Sequence, residues 1–230
     1  MKNKYLSNYL RSKRSLQNTT YLQILKIMKN KDWLVTGDGQ YQACKSAREW
    51  DLLRDNYRLY RFLTEVEDVI NNVDDESSCL PEIRMLVRRL ITNSYWVQSQ
   101  KLQPSPETGT SVLLLYDELG FPLTVQVVTF LPGIKSSIHN HGTWGVVAVL
   151  KGQEKTTCWQ RSPSAEFPDK IETTGDITLE PGDIISFTPD AIHSVEAVGD
   201  EPTVTFNIYG ETDPKERFEF DINTQTAKKF

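Results

Sequence analysis

From Thr110 onward the chain breaks into short runs of β-forming residues separated by Gly, Pro and Asp. The runs are Ser111–Tyr116, Leu123–Leu131, Trp144–Leu150, Lys155–Gln160, Asp176–Leu179, Ile184–Phe187, Ser194–Val198, Thr203–Tyr209 and Arg217–Ile222. No helical period intervenes, so a parallel sheet with crossover helices is excluded and a β-sandwich or small barrel remains. The period is different upstream. Trp50, Leu53, Tyr57, Tyr60 and Leu63 recur at three- and four-residue steps, which predicts a helix over Ala47–Asn71. Ile83, Leu86, Val87, Leu90 and Ile91 predict a second over Pro81–Gln98. Pro81 suits its first turn, where a missing N–H leaves nothing unpaired. Polar breaks at 71–78 and 103–109 separate these segments. The expected organisation is a basic extension over 1–50, a helical segment over 51–109 and a β barrel over 110–230.

Charge sets further bounds. The 230 residues carry 26 Lys and Arg against 31 Asp and Glu, a net charge of -5. Residues 1–50 nevertheless hold an excess of Lys and Arg. Because these are scattered rather than clustered, they read as an extension outside the main fold, not a nucleic-acid arm, and an acidic remainder repels phosphate. No apolar run is long enough to span a membrane. The stretch Tyr21–Met28 is interrupted by Gln23 and Lys26, so no secretory signal is read and a cytoplasmic location is expected. The three cysteines, Cys44, Cys79 and Cys158, form no CxxC pair, which argues against a zinc ribbon or a disulfide framework. A monomer is expected.

The chain has three histidines, His139, His141 and His193, all in the β half. His139 and His141 are two residues apart, so on a strand both leave the same face. A third imidazole from a distant strand would complete a facial metal site. Imidazole suits Fe, Zn, Cu and Ni. Three neutral ligands leave the metal's charge uncompensated and several positions open, so such a centre attracts an anionic ligand such as a thiolate or hydroxide and can also take O2.

The first pair sits in GIKSSIHNHGTWGVVAVLKG and the third histidine in EPGDIISFTPDAIH. Together these resemble the two-part pattern of the cupins, whose double-stranded β-helix (jelly-roll) barrel holds a metal inside. The usual cupin pattern adds a glutamate after the pair; here that position is Gly145. With this loss the sequence resembles the thiol dioxygenases of the cysteine dioxygenase and 3-mercaptopropionate dioxygenase type. The resemblance is strongest from Val125 to Asp221. It implies Fe(II) held by His139, His141 and His193. It implies as well the oxidation of a small thiol to its sulfinic acid by O2, with no nucleic-acid or membrane partner.

Behind the iron that family carries a Ser-x-His-x-Tyr strand, and this chain reads Thr205, Asn207 and Tyr209 at those places. Alternation puts the three on one face, with Val204, Phe206 and Ile208 on the other. Tyr209 keeps the family's hydroxyl, whereas Asn207 cannot relay a proton as imidazole does. Some members crosslink a cysteine to that tyrosine; Gly145 stands there, so no crosslink forms. Cys158 reads as a structural thiol. Ser111–Tyr116 lacks the arginine of the cysteine-specific enzymes. The mercaptopropionate type instead carries an arginine shortly after the tyrosine, and by that resemblance Arg217, eight residues past Tyr209, is the candidate clamp for a substrate carboxylate; Trp144 is a candidate pocket wall. Another metal-dependent cupin enzyme, or a non-catalytic metal- or ligand-binding cupin, is the alternative.

Overall fold

A computed structural model describes residues 31–44, 56–73 and 75–229. The fold is mainly β, a two-sheet jelly-roll barrel with helices on one side. The strands are β1 (Asp32–Val35), β2 (Tyr41–Cys44), β3 (Thr110–Asp117), β4 (Thr124–Phe130), β5 (Ile138–His139), β6 (Gly145–Lys151) and β7 (Gln153–Arg161). They continue with β8 (Ile171–Leu179), β9 (Ile184–Phe187), β10 (Ile192–Val198), β11 (Thr203–Tyr209), β12 (Phe218–Asp221) and β13 (Thr226–Lys229). One sheet runs β2-β1-β9-β6-β11-β4-β3 and the other β13-β12-β5-β10-β7-β8. Every run expected from the sequence after Thr110 lies in one of these strands to within a few residues.

The N-terminal boundary needs correction. Residues 32–44, expected in an extension outside the fold, form a hairpin whose first strand pairs in parallel with β9, Asp32 opposite Ile184 and Val35 opposite Phe187. The rest of the expected extension, residues 1–30 and 45–50, lies outside the described residues, as does the start of the first expected helix. That helix is described as α1 (Leu59–Asn71). The second is split into α2 (Leu80–Asn93) and α3 (Tyr95–Ser99). Ser94 ends α2 in an extended conformation, and its hydroxyl then accepts from Val97 N–H at 3.3 Å to cap α3.

Two cores explain the strand patterns. The apolar stripes of α1 and α2, with Phe62, Val66, Ile83, Val87 and Leu90 fully buried, pack on the outer face of the first sheet. That face supplies Val146 and Ala148 of β6 and Phe206 and Ile208 of β11; the Phe62 and Phe206 rings meet edge to face at 5.9 Å. Each such side chain contributes about 1.5–3 kcal/mol on burial. The second core fills the barrel with Val147, Val149, Leu179, Ile185 and Phe187. The helices thus claim the greasy face of β11, and its polar residues Thr205, Asn207 and Tyr209 turn into the barrel.

Candidate metal centre

His139 ends β5 and His141 follows it in the next loop. His193 on β10 sits directly opposite His139 in the antiparallel register. The three ring centroids are 4.8, 4.8 and 5.0 Å apart, and one ring nitrogen from each falls within 4.8 Å of the others. His139 Nδ1 lies 3.0 Å from the carbonyl of Ser137. A carbonyl only accepts, so Nδ1 carries the proton and Nε2 keeps its lone pair for a ligand. His141 Nε2 and His193 Nδ1 are buried with no protein hydrogen-bond partner among the described residues. Burial is the main force holding all three imidazoles below their ordinary pKa; at His141 the other two rings and Arg217 push the same way. Neutral imidazoles with uncommitted nitrogens are what a divalent transition metal requires, so the donor set fits such an ion.

Gly145 explains why no fourth ligand enters from β6. It pairs with Tyr209 across β6 and β11. A side chain there would place its Cβ 2.9 Å from the Tyr209 ring. The tyrosine fills the space that a carboxylate ligand or a crosslinking cysteine would need. Its ring lies 4.6 Å from that of His141. The Tyr209 hydroxyl donates to Asn207 Oδ1 at 3.2 Å, and Asn207 Nδ2 donates to the hydroxyl and carbonyl of Thr205 at 2.9 and 3.2 Å. The Thr205 carbonyl can only accept, which fixes the orientation of the amide and hence the direction of the whole chain.

These groups line a cavity of about 350 Å³, together with Gln126, Phe187, Glu154 and Arg217. Arg217 stands just before β12, and its charge helps depress His139 and His141. Asn140, between the two first histidines, ties down the Arg217 loop. Its Nδ2 donates to Glu216 O at 2.7 Å and to Pro189 O at 3.3 Å, while its Oδ1 accepts from Phe218 N at 2.8 Å. Alternation could have marked Asn140 as pointing away from the histidines, but nothing local announces what it meets.

Trp144 does not wall the cavity. It is buried in the core beneath the helices, because alternation from Gly145 turns it to the other face of the sheet. Arg161 lies over the rings of Phe218 and Phe220 at 5.6 and 4.9 Å, outside the cavity. Cys158 is buried in the barrel core, where burial raises its thiol to about 12 and leaves it inert. The sequence reading missed Glu154. This residue of β7 is 3% exposed, and burial lifts its carboxyl from the ordinary 4.5 to about 7.

No protein-family model matches the chain. Among solved structures, it is similar to oxalate oxidase in complex with glycolate, at 18% identity and a TM-score of 0.37, over 50% of this chain and 57% of that one. It is also similar to a protein of Thermus thermophilus, at 15% identity and TM-score 0.38, over 49% of this chain and 91% of the other. A sugar phosphate isomerase of the cupin superfamily from Silicibacter pomeroyi matches at 23% identity and TM-score 0.36, over 49% and 64%. The chain thus spans about three fifths of the length of the oxalate oxidase it matches.

Proposed function

We propose that this chain is an iron-dependent thiol dioxygenase. It would oxidise a small thiol of the 3-mercaptopropionate or cysteine kind to its sulfinic acid with O2. The observation that carries the reading is the donor set: among the described residues three imidazoles converge with no carboxylate oxygen grouped with them, and the place where one would enter from β6 is filled by Tyr209. Such a ligand set favours an anionic sulfur ligand. Fe(II), when bound, supplies the redox chemistry that joins both oxygen atoms to sulfur. His139, His141 and His193 hold it. Arg217 binds the substrate carboxylate from the cavity wall, and a guanidinium suits a carboxylate with two parallel hydrogen bonds. Tyr209 commits its hydroxyl hydrogen to Asn207, so it offers an oxygen lone pair to whatever occupies the cavity. Phe187 and the aliphatic wall exclude water. We place the enzyme in the cytoplasm as a monomer, with a small thiol and O2 as its only partners.

The test is O2 uptake by protein loaded anaerobically with Fe(II), offered 3-mercaptopropionate, cysteine and cysteamine in parallel, with sulfinic acid identified by mass spectrometry. Uptake with the two carboxylates and not with cysteamine is expected. Full iron occupancy without uptake on any thiol would overturn the assignment. Asn207, where the thiol dioxygenases carry histidine, favours a second reading in that event: a metal-dependent cupin enzyme acting on a carbon substrate.

A further inference from the structure

A thiol held as thiolate must give its proton to something, and the cavity offers few takers. The lone pairs of the three histidines are committed to the metal. Arg217 is already a cation. The Tyr209 phenol is a proton donor in its bond to Asn207, and the amide of Asn207 is neutral. That leaves Glu154, the acidic side chain among the residues lining the cavity.

Its surroundings suit the task. Leu179 of β8 and Ala197 of β10 flank it in register, and Val147 of β6, Val195 of β10 and Thr205 of β11 line the same cavity. The charged residues beside it on β7 and β10 are engaged elsewhere: Lys155 pairs with Asp176 at 3.0 Å, and Glu196 pairs with Lys135 at 3.1 Å. Tyr209 is the titratable group that feels its charge. No cation pairs with Glu154 among the described residues. Among the described residues its one hydrogen bond comes from the Thr156 hydroxyl, at 3.3 Å. A carboxylate so poorly solvated holds a proton readily. A thiolate arriving in the same low-dielectric cavity is a like charge, and it raises the proton affinity of the carboxylate further.

We propose that Glu154 is the proton acceptor of the cavity: a thiol entering as R–SH is held as R–S⁻, and its proton ends on the Glu154 carboxylate as COOH. No electrons move in this step, and the charge of the cavity is unchanged by it. The proposal rests on the thiol reading above.

The experiment is calorimetric titration of 3-mercaptopropionate into the Zn(II)-loaded full chain without O2, above pH 7 where the free Glu154 carboxyl has given up its own proton, in two buffers of different ionisation enthalpy. Zinc has no redox chemistry, so binding is read without turnover. Wild-type protein should release well under one proton per thiol bound, whereas Glu154→Gln should release about one. Glu154→Asp should retain part of the uptake. Equal release by wild type and Glu154→Gln, with thiol binding intact in both, would overturn the proposal and leave the thiol reading standing. Absence of saturable thiol binding by wild type would instead overturn the thiol reading, and the proposal with it. A check on wild type alone is the infrared difference spectrum on thiol binding, with isotope-labelled glutamate. A gain in carboxylic-acid carbonyl absorption is expected, and no gain would overturn the assignment.

Discussion

At the residue scale, burying Glu154 has a consequence for stability as well as for chemistry. Its folded carboxyl sits at about 7 against an ordinary 4.5. Between those values the unfolded chain has released the proton while the folded chain keeps it. The folded state therefore binds more protons, and its stability falls as pH rises through the window and levels off above it. A shift of that size corresponds to roughly 3 kcal/mol. Glu154→Gln, a neutral isostere of the acid form, should lose this pH dependence and be the more stable protein above neutral pH. Urea unfolding at both ends of the window checks it; parallel curves for the two proteins would mean that the carboxyl is solvated. The histidines could be read from sequence because the two-residue spacing and the strand period coincide. Glu154 could not. In Gln153–Arg161 it stands next to Lys155 and looks like half of a solvated pair, and only closure of the barrel against β11 puts it indoors. Trp144 failed for a related reason: a one-residue step decides the face, and proximity to His141 in sequence says nothing about it.

At the element scale, the hairpin of β1 and β2 shows what long-range pairing adds. DWLV is too short to announce a strand by itself. It becomes one because β9, distant in sequence, offers a free parallel edge. Buried polar ties then hold the helices to that edge. Arg88 of α2 donates to Asp32 and to the carbonyl of Gly182, both charged groups being almost fully buried. Arg84 donates to the Ser186 hydroxyl at 2.7 Å, which in turn donates to Trp33 O at 2.8 Å. Removing one partner of a buried pair leaves an uncompensated charge, a cost of about 3–5 kcal/mol. Asp32→Ala should lower the unfolding free energy by that much, seen as a lower urea midpoint with an unchanged slope. Arg61→Ala breaks the exposed pair with Glu65 within α1 and should cost only about 0.3–0.5 kcal/mol. Comparable losses in the two variants would show that the hairpin is not tethered through Arg88. β5 was equally hidden in the sequence, since two residues carry no period, although it holds His139.

At the scale of the whole molecule, the division of labour between the two sheets makes metal binding a folding event. The three histidines and the Arg217 loop belong to the second sheet, whereas Tyr209, Asn207 and Thr205 come from the first. The helices lie on the first sheet's outer face, and that cover lets a strand with one polar and one greasy face run its polar side inward. The sequence signalled this arrangement through the fold resemblance rather than through the pattern of β11 itself, which alone reads as solvent-exposed. His139 and His193 are 54 residues apart in the chain and meet only when β5 pairs with β10. An unfolded chain therefore has no preformed site, and a metal ion binds the native state alone. At about 100 times its dissociation constant, such a ligand adds about 2.7 kcal/mol of stability. For a chain of this size each kcal/mol moves the melting temperature by about 2–4 °C, so an upward shift of roughly 5–11 °C is expected on loading with Fe(II) or Zn(II). His193→Ala removes one of three ligands and should lose most of the shift together with most of the bound metal, while its metal-free melting temperature stays near that of metal-free wild type. Differential scanning calorimetry with metal analysis on the same samples reads both quantities. A wild-type melting temperature unmoved by metal, or a full shift in His193→Ala, would remove these histidines as the ligand set.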